Sequence, residues 1–505
     1  MILTKKFSHF SLITTVFFSL CTYAIDGYTE DERPFKMLIR TTNGGVSSDT
    51  EFLIQTKDSG YSYDVDCDND GNQEATGVTG DYTCSYTVPD DYIISISGIF
   101  PQLYFEKNGP FQSLRSDSNK VIGILQWGTQ VWRSMEQALY NCSNLIFMAA
   151  DTPDLSQVTS MRNMFWGAEN FNQYIGNWDV SNVTDMNNMF RGATSFNEYI
   201  GDWDVSNVTD MNDMFSNANS FNDYIGDWDV GSVNDMSFMF SGANSFNDYI
   251  GDWDVSKVAN MTGMFQNAAS FNQYIGNWNV SQVVVMTGMF TGANSFNQYV
   301  GDWDVSQVVD MSNMFSSGSS LDQSSFNQYI GNWDVSNVRS MSGMFLGAAA
   351  FNQYIGNWNV SNVESMSTMF MGATAFNQYI GDWDVSKVTG MNWMFISATS
   401  FNQDIGDWNV SKVTEMASLF SGANSFDQYL GDWNVSNVTE MNNMLINTNL
   451  STTNYDYILY SWSLLNVQRD VTLDAGSTNY SAIVAAARQR LIDEFGWTIN
   501  DGGPL

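Results

Sequence analysis

The side chains with the clearest chemical potential in this chain are carboxylates, and their spacing is regular. Asp66, Asp68 and Asp70 precede Gly71 in a D-x-D-x-D-G run, a set of oxygen ligands that can wrap a calcium ion around a glycine turn. An EF-hand would carry an acid six residues beyond the glycine, where Gly77 stands. With the ligand set incomplete, an acidic β-turn over Asp68-Asn69-Asp70-Gly71 at a hairpin tip is the preferred reading. A second set of acids flanks a recurring tryptophan: Asp202/Asp204, Asp227/Asp229, Asp252/Asp254, Asp302/Asp304 and Asp382/Asp384. Stacked in columns, such like charges repel one another. Asn277/Asn279 and Asn357/Asn359 take the same places elsewhere, which relieves the repulsion. A solvated face with Asx hydrogen bonds is the plain reading, and a divalent cation bridging the columns is the sharper one. A third set is the tyrosine column that includes Tyr199, Tyr224 and Tyr249, one before each Ile-Gly pair, interrupted by Asp404. On the surface beside Asn and Gln it would form a strip for a glycan or a protein; buried or half-exposed stacking is preferred over that.

Catalysis finds little support. The single histidine, His9, lies in a predicted signal peptide, so the exported chain lacks the base that nucleophile–His arrangements require. Nothing singles out two carboxylates as a glycosidase pair from 55 acids. No enzyme activity is expected, and no cofactor beyond calcium at the acidic turn.

The elements that must position these residues are repeats. Trp178, Trp203, Trp228, Trp253, Trp278 and Trp303 are 25 residues apart, as are Trp333, Trp358, Trp383, Trp408 and Trp433. The one longer step, 30 residues from Trp303 to Trp333, places an insertion around Ser319–Gln323. A fixed period of this size marks a stack in which each unit buries its apolar side against its neighbours. Within a unit, Met186, Met189, Phe190 and Ala193 fall at i, i+3, i+4 and i+7, one face of a short helix. Thr184 or Asp185 offers it an N-terminal cap. Trp178 and Val180 alternate with Asp179, as in a half-buried strand. The expectation is therefore an α/β repeat solenoid: a leucine-rich-repeat-like right-handed rod with one short parallel strand and one short helix per 25-residue turn. Ile175-x-x-Trp178-x-Val180 matches the opening of a leucine-rich repeat, although Val183 stands where its asparagine belongs. The methionines at i, i+3 spacing read as core packing rather than as soft ligands for copper.

Composition bounds the partners. The chain has 19 Lys+Arg against 55 Asp+Glu, a net charge of −36, which argues against nucleic acid and anionic membrane surfaces. Residues 1–24 read as a signal peptide: a basic start at Lys5-Lys6, an apolar run from Phe10 to Leu20, and a cleavage site after Ala24. No other stretch is long and apolar enough to predict a transmembrane span. Residues 25–112 contain runs such as FKMLIRT and YIISISG and read as a small β-sandwich-like domain. Cys67 and Cys84 lie in neighbouring predicted strands of this exported region and are expected to form a disulfide. Residues 113–160 read as a degenerate capping repeat in which Cys142 occupies the slot of Ala193. The regular repeats run over 161–449, and 450–505 form a C-terminal helical cap in which Tyr480–Phe495 is the most convincing helix.

The repeat phrase, approximately FNQYIGDWDVSNVTDMNNMFSGA, resembles that of the BspA-type leucine-rich-repeat bacterial surface proteins, whose 25-residue Met-Phe/Trp unit is also found in mycoplasma lipoproteins. The flanks YDVDCDNDG, QWGTQVW, LSTTNYDYILYSW and ARQRLIDEFGWTINDGG share the likeness. It implies an exported surface protein for which adhesion is the expected role, and it carries no catalytic residues. An LPxTG-like anchor, a hydrophobic tail and a lipidation cysteine are absent from the sequence, so the mode of attachment is open. The function expected is a secreted or cell-surface, non-enzymatic binding or adhesion protein whose partner is a protein or glycan at a cell or matrix surface. The rival is a structural coat protein whose acidic rod is stiffened or assembled by divalent cations.

Overall fold

The computed structural model describes residues 33–105, 115–318 and 324–505. The predicted signal peptide, with His9, and the inserted residues 319–323 lie outside the described residues.

The N-terminal region is built around a six-stranded mixed sheet in the order β4-β3-β6-β1-β7-β8. Its strands are β1 (Phe35–Arg40), β3 (Ser62–Asp66), β4 (Ala75–Val78), β6 (Asp91–Ile99), β7 (Val121–Gln126) and β8 (Ile146–Phe147). Alternation explains β1: Phe35, Met37 and Ile39 are fully buried while Lys36, Leu38 and Arg40 are not. A separate antiparallel pair, β2 (Glu51–Ile54) with β5 (Tyr82–Ser85), completes the region. The expected β-sandwich is therefore replaced by one mixed sheet and a two-stranded flap. The expected disulfide is present between Cys67 and Cys84. It links the end of β3 in the large sheet to β5 in the flap, rather than neighbouring strands of one sheet. A second tie is the buried pair Asp117 and Lys120. The Asp117 carboxylate accepts from the backbone N–H groups of Val46, Ser47 and Leu53. Lys120 Nζ donates to the carbonyls of Ser47, Ser48 and Glu51.

The expected α/β solenoid with a helix in each turn is overturned. Among the described residues there are two α-helices, α1 (Thr452–Ser463) and α2 (Ala485–Phe495), and both lie after the repeats. The stretch read as a helix, Met186 to Ala193, is a series of tight turns. Met189 N–H donates to Met186 O at 3.1 Å and Ala193 N–H to Phe190 O at 3.0 Å. Met186, Asn188, Phe190 and Gly192 instead donate to Asp210, Asn212, Met214 and Ser216 of the next unit, at 2.8–3.1 Å. Left-handed backbone at Asn188 (φ 57°) and Gly192 (φ 70°) makes this possible. Two such residues in one stretch turn alternate amides outward, where the next repeat meets them, and the i→i−4 pattern of a helix cannot form. The i, i+3, i+4 spacing was satisfied by a coil of turns that also points those side chains to one side.

The predicted strand at Trp178–Val180 is absent as well. In the equivalent segment Trp203 N–H closes a turn onto Ile200 O (3.2 Å) and Val208 N–H one onto Val205 O (2.9 Å). The parallel pairing lies elsewhere and is one residue wide: Ser160↔Asp185↔Asp210↔Asp235↔Asn260, continuing unit by unit to Glu440. The register holds across the insertion, because Asp310 bridges Ser340 and Trp303 stacks on Trp333.

Core side chains stand in columns. Phe190, Phe215 and Phe240 stack at 5.5 and 5.7 Å, and Trp203, Trp228 and Trp253 at 6.4 and 6.5 Å. If successive units were related by translation alone, every equivalent pair would be equally far apart. Bridged strands are about 4.8 Å apart, so each unit is rotated slightly against the last. The rotation is seen in the spacing of the columns, wider for the tryptophans than for the phenylalanines.

Both ends are closed by atypical units. Met135, Gln137, Leu139 and Asn141 donate to the carbonyls of Ser160, Arg162, Met164 and Trp166 in the array's own pattern. Cys142 is buried and unpaired there, and burial holds its thiol well above the ordinary range. At the other end Trp462 of α1 donates its indole N–H to Leu430 O at 3.3 Å, filling the next tryptophan place. No described helix is long and apolar enough to cross a membrane.

Candidate functional site

The three predicted acids Asp66, Asp68 and Asp70 converge at the loop between β3 and β4, with one carboxylate oxygen from each within 4.8 Å of the others. Asp66 is buried and accepts from Asp70 N–H (3.2 Å) and Gly71 N–H (3.0 Å). Asp68 also accepts from Asp70 N–H, and Asp70 accepts from Asn72 N–H at 2.8 Å. Those bonds to Asn72 hold the Asp70 carboxyl below the usual range. The all-oxygen donor set suits a hard cation, and the same oxygens serve the loop by capping its own backbone at a hairpin tip.

The acids flanking the tryptophans are exposed and each is tied to its own unit. Asp202 and Asp227 accept the phenol protons of Tyr199 and Tyr224, both at 2.8 Å. Asp204 accepts from Ser206 Oγ and N–H, at 2.6 and 3.1 Å, which holds its carboxyl low; Asp229 accepts from Gly231 N–H at 3.0 Å. Among the described residues only Asp66, Asp68 and Asp70 bring three carboxylate oxygens together.

The tyrosine column lies at the surface. Tyr199, Tyr224 and Tyr249 are 37–39 % exposed. Tyr249 donates to Asp252 at 3.1 Å, and the bond recurs through Tyr274–Asn277, Tyr299–Asp302 and onward to Tyr429–Asp432. Each ring folds back over the glycine two residues on. A Cβ at Gly201 would stand 2.8 Å from the Tyr199 ring and 2.7 Å from Tyr224 O of the next unit. Glycine is therefore required for the close approach of backbone and ring, not for a left-handed φ. The result is a row of aromatic platforms with fixed rotamers and one open face.

The first regular unit departs from the others. In ten units, from Trp203 to Trp433, the indole N–H donates to the carbonyl 28 residues back, or 33 across the insertion. For Trp178 that place holds Ala150, and no bond forms. Trp178 packs instead against Trp127 (5.6 Å, edge-on) and Phe147 (5.9 Å). Beside it is a cavity of about 150 Å³ lined by Trp127, Phe147, Asp151, Tyr174, Asn177 and Trp178, among others. Sequence reasoning missed this pocket, although its signal was legible: the apolar-Gly pair whose first carbonyl serves each later tryptophan, Ile175-Gly176 for Trp203 and Val300-Gly301 for Trp333, is replaced by Ala150-Asp151 ahead of Trp178. A second cleft, about 290 Å³, lies beside the bridge ladder and is lined by Val309, Asn337, Arg339, Asn362, Glu364 and Lys387. It too falls where the repeat phrase changes its residues.

Comparison with known proteins fits this architecture. Neither the curated proteins nor the solved structures contain a match. A family described as "Mycoplasma protein of unknown function, DUF285" matches four times in tandem, over residues 133–251, 223–324, 321–395 and 378–479. These matches span most of the chain and coincide with the stacked units, so the chain belongs to the DUF285 family.

Proposed function

We propose that this chain is a non-enzymatic binding protein, secreted or displayed at a cell surface, that holds a glycan or protein partner along its tyrosine column. The observation that carries the reading is the row of exposed and half-exposed rings whose hydroxyls are already tied three residues on, from Tyr199–Asp202 to Tyr429–Asp432. A ring fixed before the partner arrives loses little rotamer entropy on contact, and tyrosine offers a large amphipathic face. The neighbouring Asn and Asp side chains supply hydrogen-bond groups at the same interval as the rings, so a partner with a repeating structure would meet the same contact many times. Export is supported by the signal-like sequence 1–24 and by the Cys67–Cys84 disulfide, which belongs to an oxidising compartment. The BspA-type likeness of the repeat phrase points the same way, toward surface adhesion. The coat-protein alternative needs cations between repeat units, and no observation in the repeats favours it.

The test is retention on glycan and extracellular-matrix protein arrays by the full chain and by Tyr224→Ala/Tyr249→Ala/Tyr274→Ala. Specific retention lost in the triple variant, with its melting temperature little changed, is the expected outcome. Retention equal to wild type would remove the column from the reading.

A further inference from the structure

Three side chains of the first regular unit lack bonds that their counterparts make, and all three line one cavity. Tyr174 is 54 % exposed, and its hydroxyl has no hydrogen bond among the described residues, whereas nine other column tyrosines are bonded three residues on. Asn177, which stands three residues after Tyr174, is likewise without a partner there. Trp178 is 6 % exposed, and its indole N–H lacks the carbonyl that serves each of the ten later tryptophans. The Trp178 N–H keeps some access to solvent at the cavity wall, as the exposed Tyr174 hydroxyl and Asn177 amide do, so all three are free to bond a ligand there.

We propose that this cavity is a subsite for one neutral saccharide ring, at the end of the tyrosine column. The proposal rests on the column's reading as a binding strip and names the partner as a glycan. The walls supplied by Trp127, Phe147 and Trp178 suit the apolar C–H face of a sugar. The Trp178 indole N–H donates to a sugar oxygen, and the Tyr174 hydroxyl and Asn177 amide serve the remaining hydroxyls. Asp151, whose carboxylate already accepts from Trp127 N–H (3.0 Å) and Gly128 N–H (2.9 Å), is held in place to accept one more. Apart from Asp151 the lining carries no charge, which favours a neutral ring over an acidic one. The cavity is of a size for one ring, so it reads a chain end or a single residue while the column beyond it holds the rest.

The experiment is calorimetric titration of the full chain with cellohexaose, chitohexaose and maltohexaose. The variants are Trp178→Phe, Tyr174→Phe and Tyr224→Ala/Tyr249→Ala. Trp178→Phe keeps the ring and removes only the N–H, so binding of the accepted hexaose should weaken about tenfold, the equivalent of one hydrogen bond. Its melting temperature should stay at the wild-type value, since that N–H makes no bond in the free protein. Tyr174→Phe, at an exposed position, should show a smaller loss and guards against misfolding of the tryptophan variant. Wild-type affinity in both pocket variants, with loss in Tyr224→Ala/Tyr249→Ala, would overturn the pocket and leave the strip standing. Loss in the pocket variants alone would support the pocket without the strip. Binding of none of the three hexaoses by the wild type would overturn the saccharide assignment, while the strip would still be judged by its own protein arrays.

Discussion

The N-terminal sheet and the repeat array hold themselves together by opposite means. In the sheet, partners are distant in sequence and each is unique: β1 lies between β6 and β7, the Cys67–Cys84 bond ties flap to sheet, and Asp117 with Lys120 fixes the 46–53 segment from more than sixty residues away. In the array every contact is a copy of the one before it. Met186 donates to Asp210 as Met211 does to Asp235, and Trp228 stacks on Trp203 as Trp253 does on Trp228. Unique ties make a region that one substitution can undo. Repeated ties spread the same loss over a nearest-neighbour chain.

The sharpest break in this comparison is expected from Asp117→Ala. It leaves the buried Lys120 ammonium without its carboxylate, at a cost of about 3–5 kcal/mol. Hydrogen exchange should accelerate in β1 and β7 and remain slow in the amides of Phe215 and Phe240. Replacing Cys67 and Cys84 by serine should cost about 3 kcal/mol, the stabilisation expected for a loop of this length, again confined to the sheet and read by the same exchange. Within the array, Trp253→Phe strands the Ile225 carbonyl that its indole serves at 3.1 Å and should cost about 1–3 kcal/mol in denaturant unfolding. Equal losses in Trp253→Phe and Trp178→Phe would show that the indole bond is not what separates the first unit from the rest.

Smaller effects sharpen the picture. The left-handed site occupied by Asn188 and Gly263 in other units holds Thr368 at φ 60°. A β-branched residue is strained there, so Thr368→Asn should raise stability by about 1 kcal/mol, measured as a shift in the denaturation midpoint. The smallest effect is pH-dependent. Burial holds the Asp185 and Asp213 carboxyls above the usual range. Stability from their protonated forms is present in acid and is lost as pH rises through their folded values. Serine hydrogen bonds hold Asp204, Asp254, Asp304 and Asp384 low, so their contribution is present above the ordinary aspartate range and is lost as pH falls through their folded values. The melting temperature should therefore rise on mild acidification from neutrality and fall on stronger acidification. A monotonic fall from pH 7 downward would contradict the upward shift of the half-buried Asp185 and Asp213 carboxyls.

Much of this was legible in the chain itself, because a repeated phrase states its own contacts. The tryptophan period located every unit, the i, i+3, i+4 apolar positions named the buried residues, and Cys67 and Cys84 named the disulfide. The backbone that carries those residues was misread. Met186, Met189 and Phe190 point inward whether they sit on a helix or on a coil of turns, so the apolar pattern could not distinguish the two. Asn188 and Gly192 held the discriminating information, yet Asn, Asp, Phe, Thr, Trp and Ser also occupy left-handed sites here. The stacked neighbour supplies acceptors that stabilise those residues in a conformation their own type disfavours. Columns of acids and tyrosines were likewise legible as columns, but the bonds from Tyr199 to Asp202 and from Ser206 to Asp204, which tie the acids within their units, were not.

Sequence alone determined which side chains are buried and that equivalent residues would stand in register, since a 25-residue period leaves each apolar group no partner except its copies. Only the tertiary structure decided how the backbone turns within a unit, that each unit is rotated against the last, and that Trp178 has lost the carbonyl its ten successors keep. Those features depend on what the adjoining unit presents across the gap, and that is fixed by three-dimensional approach rather than by position along the chain.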